Sequence, residues 1–260
     1  MRVVAHSCSN TEIVCALGCG DRLVGVDDHS DFPADVVGAV RRVGPDLAVD
    51  VEVIRSLEPD LVVYSLTVPG HERALDGLLA AGLNVLVLEP VSLEDVLRDI
   101  RAVGAALGVV ERADALVAGV RAEIRAVPAR AVRPKVLVEW WPKPVIVPGR
   151  RSWVTDLIEA AGGANPFGDR DVKSCPITDA EAGAAAPDAV VIAWCGVPAS
   201  HYRPAVVARR PAWADVPAVR DGRIVPITEA WLGRPGPRLV EGFRALRAVV
   251  DAVPEVSASR

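Results

Sequence analysis

The chain has 260 residues, of which 51% are hydrophobic and 24% charged, and it carries a net charge of -5. That length suits one large domain or two lobes of ordinary size, and the acidic balance argues against a nucleic-acid partner, which would want a basic face. No apolar run approaches the roughly 18 residues of a membrane span, so no membrane insertion is expected.

The five cysteines (8, 15, 19, 175 and 195) show no C-x-x-C spacing and read as thiols rather than a disulfide framework. The opening MRVVAHS runs straight into an apolar strand, without the charged and then apolar regions of a secretory leader. The expected compartment is therefore cytoplasmic for the sequence as written, and periplasmic or extracytoplasmic if a leader has been removed.

In chain order, Val3 to Ala5 reads as a short strand. Ser9 with Glu12 forms a capping-box pattern for a helix that stops at Gly18. Leu23 to Val26 is a strand that ends in the acidic loop Asp27 to Pro33. A short helix over 50–57 is cut by Pro59, and Leu61 to Tyr64 is a buried strand. His71 to Ala81 is a polar-faced helix, with His71 expected in solvent, and Asn84 to Leu88 is the next strand. The proline-free stretch from Ser92 to Val127 keeps a helical rhythm, with slips at Gly104 and Gly108 that allow a break.

Val136 to Glu139 then starts a second strand-and-helix series. Trp140 to Pro148 reads as a proline-punctuated loop, and Ser152 to Ala161 as a helix closed by Gly162. Thr178 with Glu181 is a second capping-box pattern. Ala189 to Ala193 and Ile224 to Ile227 are strands, and Pro237 to Val253 is a closing helix.

The two series repeat one another. TEIVCALG at 11–18 corresponds to TDLIEAAG at 155–162, and PDLVV at 59–63 to PDAVV at 187–191. Strands separated by helices imply mostly parallel sheets. The predicted fold is α/β: an N-terminal lobe (1–91) and a C-terminal lobe (128–260), similar to each other, joined by one long connecting helix (92–127). Paired lobes of this kind make a cleft suited to a small ligand.

No G-x-S-x-G elbow, P-loop or H-E-x-x-H helix is present, and His6, Cys8, Cys15 and Cys19 fit no standard zinc spacing. Binding residues in parallel sheets gather in the loops at the strand ends. There the sequence places His29, Phe32 and Tyr64 in the first lobe. In the second it places Trp140 and Trp141, Trp194, and Trp231, after three separate strands. All six tryptophans lie in the second half, and an aromatic wall suits a large, flat, partly apolar ligand. Arg150, with Arg151, Arg234 and Arg238, lies beside the tryptophans and would pair with an anionic ligand. His29 is a candidate axial donor to a metal that the ligand itself carries.

The segments SNTEI at 9–13, GDRLVGVDDHSDFP at 20–33, SLEPDLVV at 56–63, AGGANPF at 161–167 and PGPRLVEG at 235–242 occur in the order found in one family. The chain resembles the helical-backbone substrate-binding proteins of ABC transporters, and within them the cobalamin-binding branch, grouped with ferric-siderophore and haem binders. That resemblance implies two α/β lobes bridged by a helix, and a monomer without enzymatic activity or intrinsic cofactor. It implies a corrinoid, cobalamin, held in the cleft and delivered to an ABC permease and its ATPase.

The family's aromatic position in the S-D-[YF]-P loop falls on His29, its tryptophan after the first Pro-Asp strand is Ser65 here, and its late-loop tryptophan is Trp231. Permease docking through one glutamate per lobe falls on Glu52 and, less closely, on Glu181. Two alternatives stay open. One is a ferric-siderophore or haem binding protein. The other is a cytosolic corrinoid-handling protein or enzyme, with Cys8, Cys195 or His201 as its reactive groups.

Overall fold

The computed structural model describes residues 1–128 and 130–255, and divides them into two compact units. The first unit comprises 1–90 and 94–121, and the second 91–93 and 122 onward.

In the first unit, β1 (Val3–Ala5), α1 (Cys8–Ala16), β2 (Leu23–Val26), α2 (Ala34–Val37) and β3 (Arg41–Arg42) follow in turn. Then come α3 (Val51–Ser56), β4 (Leu61–Ser65), α4 (His71–Ala80) and β5 (Val85–Leu88). The strands form one parallel sheet in the order β3-β2-β1-β4-β5. Its centre, β1 and β4, is buried on both faces, which is why these strands begin as unbroken Val, Leu and Ala runs, with Tyr64 and Ser65 ending β4, rather than alternating. The α1 helix starts one residue after Ser7, so Ser9 lies inside it and the expected Ser9–Glu12 cap is absent.

The stretch expected as one connecting helix is two helices, α5 (Leu93–Ala106) and α6 (Val110–Glu123). Gly108 has φ +69°, a left-handed turn that glycine adopts without a Cβ penalty. The two helices run antiparallel, because Glu94 pairs with Arg121 and Arg101 with Asp114 at 2.7 Å. They touch at Gly104, where a Cβ would overlap the Ala113 methyl.

Asp99 on α5 is 5% exposed, and burial pushes its carboxyl up to about 6 although Arg98 donates to it at 3.0 Å. The folded chain therefore binds a proton here that the unfolded chain, with an ordinary carboxylate, has released. Asp99 costs nothing below the ordinary carboxylate range and destabilises progressively as pH rises through 6. Asp99→Asn should raise the melting temperature at pH 8 by a few degrees, for about 1–3 kcal/mol, with the gain vanishing near pH 4. A gain that is equal at both pH values would exclude this cause.

In the second unit, β6 (Val136–Glu139), β7 (Trp141–Pro142), β8 (Val145–Pro148), α7 (Trp153–Ala160) and β9 (Ser174–Ile177) follow in turn. They lead into α8 (Asp179–Ala185), β10 (Ala189–Ile192), α9 (Pro204–Ala208), α10 (Pro217–Arg220) and β11 (Ile224–Pro226). The last helices are α11 (Glu229–Leu232) and α12 (Leu239–Asp251). A parallel sheet runs β11-β10-β6, beside an antiparallel one, β7-β8-β9. The segment 140–148, expected as a loop, is thus largely a hairpin. The capping box is present, with Thr178 Oγ1 accepting from the Glu181 N–H and the Thr178 N–H donating to the Glu181 carboxylate.

The sequence repeat has a structural counterpart inside each unit. Glu58 and Ala186, the residues before Pro59 and Pro187, both take a left-handed conformation. The aspartate after each proline accepts a backbone N–H just before the neighbouring strand: Asp60 from Arg2 at 2.6 Å, and Asp188 from Lys135 at 2.8 Å. Each aspartate therefore ties a neighbouring parallel strand pair together, β1–β4 or β6–β10, which accounts for the P-D pattern. No helix among the described residues is long and apolar enough to cross a membrane.

Candidate functional site

A parallel sheet delivers the loops after its strands to one edge. In the first unit that edge carries His29 and Phe32 after β2, Leu47 after β3 and Val68 after β4. His29 is exposed, and Phe32, Leu47 and Val68 expose 45%, 52% and 41% of their surface. Leu47 and Val68 were not among the sequence candidates; nothing in their local sequence marks them, and only topology brings them to the edge.

His71 ties two of these loops together. Its Nδ1 accepts from the N–H groups of Thr67 and Val68 at 3.3 and 3.4 Å, and its Nε2 lies 3.7 Å from the carboxylate of Asp46, next to Leu47. The His71 imidazole holds the Asp46 carboxyl below its usual range. His71 is buried rather than in solvent, contrary to expectation, because it bridges loops.

Tyr64 and Ser65 also differ from expectation. Tyr64 is fully buried, stacked on His6 at 4.9 Å between ring centroids, with its hydroxyl donating to the His71 carbonyl at 2.9 Å. Burial pushes that hydroxyl up to about 12. Ser65 donates to Asn10 Oδ1 at 3.0 Å and is 1% exposed. Both residues are buried beneath the edge rather than exposed on it.

In the second unit the same kind of edge carries Trp140 and Trp141 after β6, Trp194 and Cys195 after β10, and Trp231 on α11 after β11. One backbone bond and the Tyr202 hydroxyl stitch the three loops together. The Cys195 N–H donates to the Trp140 carbonyl at 3.1 Å. Tyr202 Oη donates to the Trp194 carbonyl at 3.1 Å and accepts from the Glu229 N–H at 3.0 Å. The three tryptophan loops therefore share one edge, as predicted.

Their rings do not all face outward. Trp141 is 42% exposed and its Nε1 donates to the Lys143 carbonyl; Trp140 and Trp231 are half-buried. Trp194 is only 6% exposed, because its Nε1 donates to the buried Glu139 carboxylate at 2.8 Å. Glu139 is fully buried and receives Arg210 through two bonds, 2.6 and 2.9 Å, while the Arg210 guanidinium lies 4.6 Å over the Trp213 ring. Neither Glu139 nor Arg210 was a sequence candidate. The visible signal was a lone glutamate closing the apolar strand VLVE. Trp231 is set by close helix packing: a Cβ on Gly242 of α12 would overlap the Trp231 carbonyl.

Three arginines of this unit pair with carboxylates. Arg150 pairs with Asp171 at 2.8 Å, Arg210 with Glu139, and Arg234 with Glu229 at 3.6 Å. Of the docking candidates, Glu52 is exposed and 3.2 Å from Arg55 on its own helix. Glu181 uses both oxygens, one toward Arg170 at 2.6 Å and one toward Thr178, and these bonds hold its carboxyl down at about 2. Cys8 lies 3.8 Å from the Asp27 carboxylate, and Cys195 and His201 are exposed. Among the described residues, no group of three or more His, Cys, Asp or Glu side chains is placed to hold a metal ion.

Comparison with known proteins gives one consistent answer. The family model described as periplasmic binding protein matches residues 3–230. An uncharacterised ABC transporter substrate-binding lipoprotein of Bacillus subtilis is 30% identical over 94% of this chain and 78% of its own. The vitamin B12-binding protein of Vibrio cholerae is 22% identical over 92% of this chain and 85% of its own. Among solved structures, the periplasmic heme-binding protein RhuT from Roseiflexus sp. RS-1 is 30% identical, with a TM-score of 0.81 over 97% of this chain and 99% of that one. With its parallel-sheet units and a match across most of its length, the chain belongs to the periplasmic binding protein family, whose members are ABC substrate-binding proteins.

Proposed function

We propose that this protein binds a corrinoid of the cobalamin type, without catalysing a reaction, and delivers it to an ABC permease. The charge balance at the strand-end edges carries this reading. The second unit offers indole surface, and three of its arginines, Arg150, Arg210 and Arg234, pair with Asp171, Glu139 and Glu229. The first offers apolar side chains beside Asp28 and Asp31, both exposed. Such surfaces favour a broad, largely uncharged ligand with hydrogen-bonding groups at its rim, and disfavour a polyanion. The proposed contacts are His29, Phe32, Leu47, Val68, Trp140, Trp141 and Trp231, with Arg150 at the rim. His29, exposed on its loop, is the candidate donor to the ligand's metal.

Glu52 is the proposed docking contact toward the permease. Glu181, occupied as a helix cap, is the weaker one. The relatives' names, periplasmic and lipoprotein, support an extracytoplasmic location.

Haem is the second reading, favoured by the 30% identity to a protein named for binding it. Protein incubated with cyanocobalamin and passed through a desalting column should retain the corrin absorbance in about equimolar amount. Complete loss of that absorbance, with haemin retained instead, would replace the first reading with the second.

A further inference from the structure

We infer that Asp27 is a positioning residue that presets the ligand-facing loop 28–33, an inference that rests on the binding function proposed above. Asp27 is the first residue after β2 and is 1% exposed. Its carboxylate accepts from the His29 N–H at 3.0 Å, from the Ser30 hydroxyl, and from the Cys8 thiol at 3.8 Å. Ser30 is held on its other side by Thr11 of α1, at 2.8 Å between hydroxyls. Arg42 on β3 donates to the carbonyls of Asp27 and Ser30 at 2.8 and 2.6 Å.

The chain from 27 to 30 is thus fixed by groups from α1, β3 and its own turn, while His29 and Phe32 stay exposed. Burying a carboxylate disfavours folding unless donors converge on it, and here the converging donors belong to the turn that presents the ligand residues. A loop ordered before binding loses less conformational freedom when the ligand arrives, so Asp27 acts on affinity through His29 and Phe32 without touching the ligand.

The test is a double-mutant cycle on the full chain, read by titration with cyanocobalamin and with haemin. Asp27→Asn, which keeps the side-chain size but turns an amide toward donors, should weaken binding by about tenfold in the parent. In a His29→Ala/Phe32→Ala background it should change binding by less than about twofold. Equal losses in both backgrounds, or none in the parent, would overturn the inference.

Amide exchange of the ligand-free protein gives an independent readout. The His29 and Ser30 N–H groups should be protected in the parent and fast in Asp27→Asn; fast exchange in both would remove the clamp. A parent that binds neither ligand would instead sink the functional reading, leaving exchange to decide the clamp alone.

Discussion

Arg210→Ala should lower stability by about 3–5 kcal/mol, because it strands the Glu139 carboxylate without its cation in a fully buried site. At this chain length that corresponds to a fall in melting temperature of roughly 6–20 °C. The loss should exceed that expected for an exposed pair such as Arg101–Asp114, worth at most about 1 kcal/mol. The damage should also be local to the binding edge. Arg210 bonds the Pro142 carbonyl at 3.3 Å as well as Glu139, so its removal frees the hairpin that carries Trp141. Replacing both members, Glu139→Gln with Arg210→Met, should recover most of the stability. No uncompensated charge then remains, and the glutamine oxygen can still accept from Trp194. Thermal unfolding of the two variants checks this; a double variant no better than Arg210→Ala would show that the network does something other than neutralise Glu139.

Trp231→Ala should weaken corrinoid binding by about 1–3 kcal/mol, or roughly 5- to 150-fold, if its half-exposed ring lies against the ligand. Trp141→Ala should fall in the same range, since its ring is the most exposed of the edge indoles and is already oriented by its bond to Lys143. Trp194→Phe is the contrast. It removes the buried Nε1 donor to Glu139, so its cost should appear in stability first and in affinity only secondarily. Isothermal titration alongside melting curves separates these outcomes. Unchanged affinity in both Trp141→Ala and Trp231→Ala would remove the indoles from the site.

The repeated segments were legible because they encode backbone requirements. A left-handed residue before Pro59 and Pro187, and an aspartate after each, recur because each unit ties one parallel strand pair together in the same way. The delivery of tryptophan to one edge by three loops was legible for the related reason that parallel strands place their ends together.

What the sequence hid was depth. Tyr64, Ser65 and Trp194 have the composition of ligand contacts, yet each is drawn inward by a partner remote in the chain or beneath the edge: His71 and His6, Asn10, and Glu139. Nothing local to those residues announces such partners. The hairpin at 140–148 was masked by Pro142, Pro144 and Pro148, which read as loop punctuation but here sit in or beside a small antiparallel sheet. The single connecting helix failed at Gly108, where hydrophobic rhythm continued across a left-handed turn.

Parallel titrations with cyanocobalamin and haemin at low and high salt test the central claim most directly. With Arg150, Arg210 and Arg234 paired to carboxylates, and the exposed loop of the first unit acidic, cyanocobalamin should bind more tightly, with affinity nearly unchanged by salt. Tight haemin binding that weakens steeply with salt, together with no cyanocobalamin binding, would contradict it.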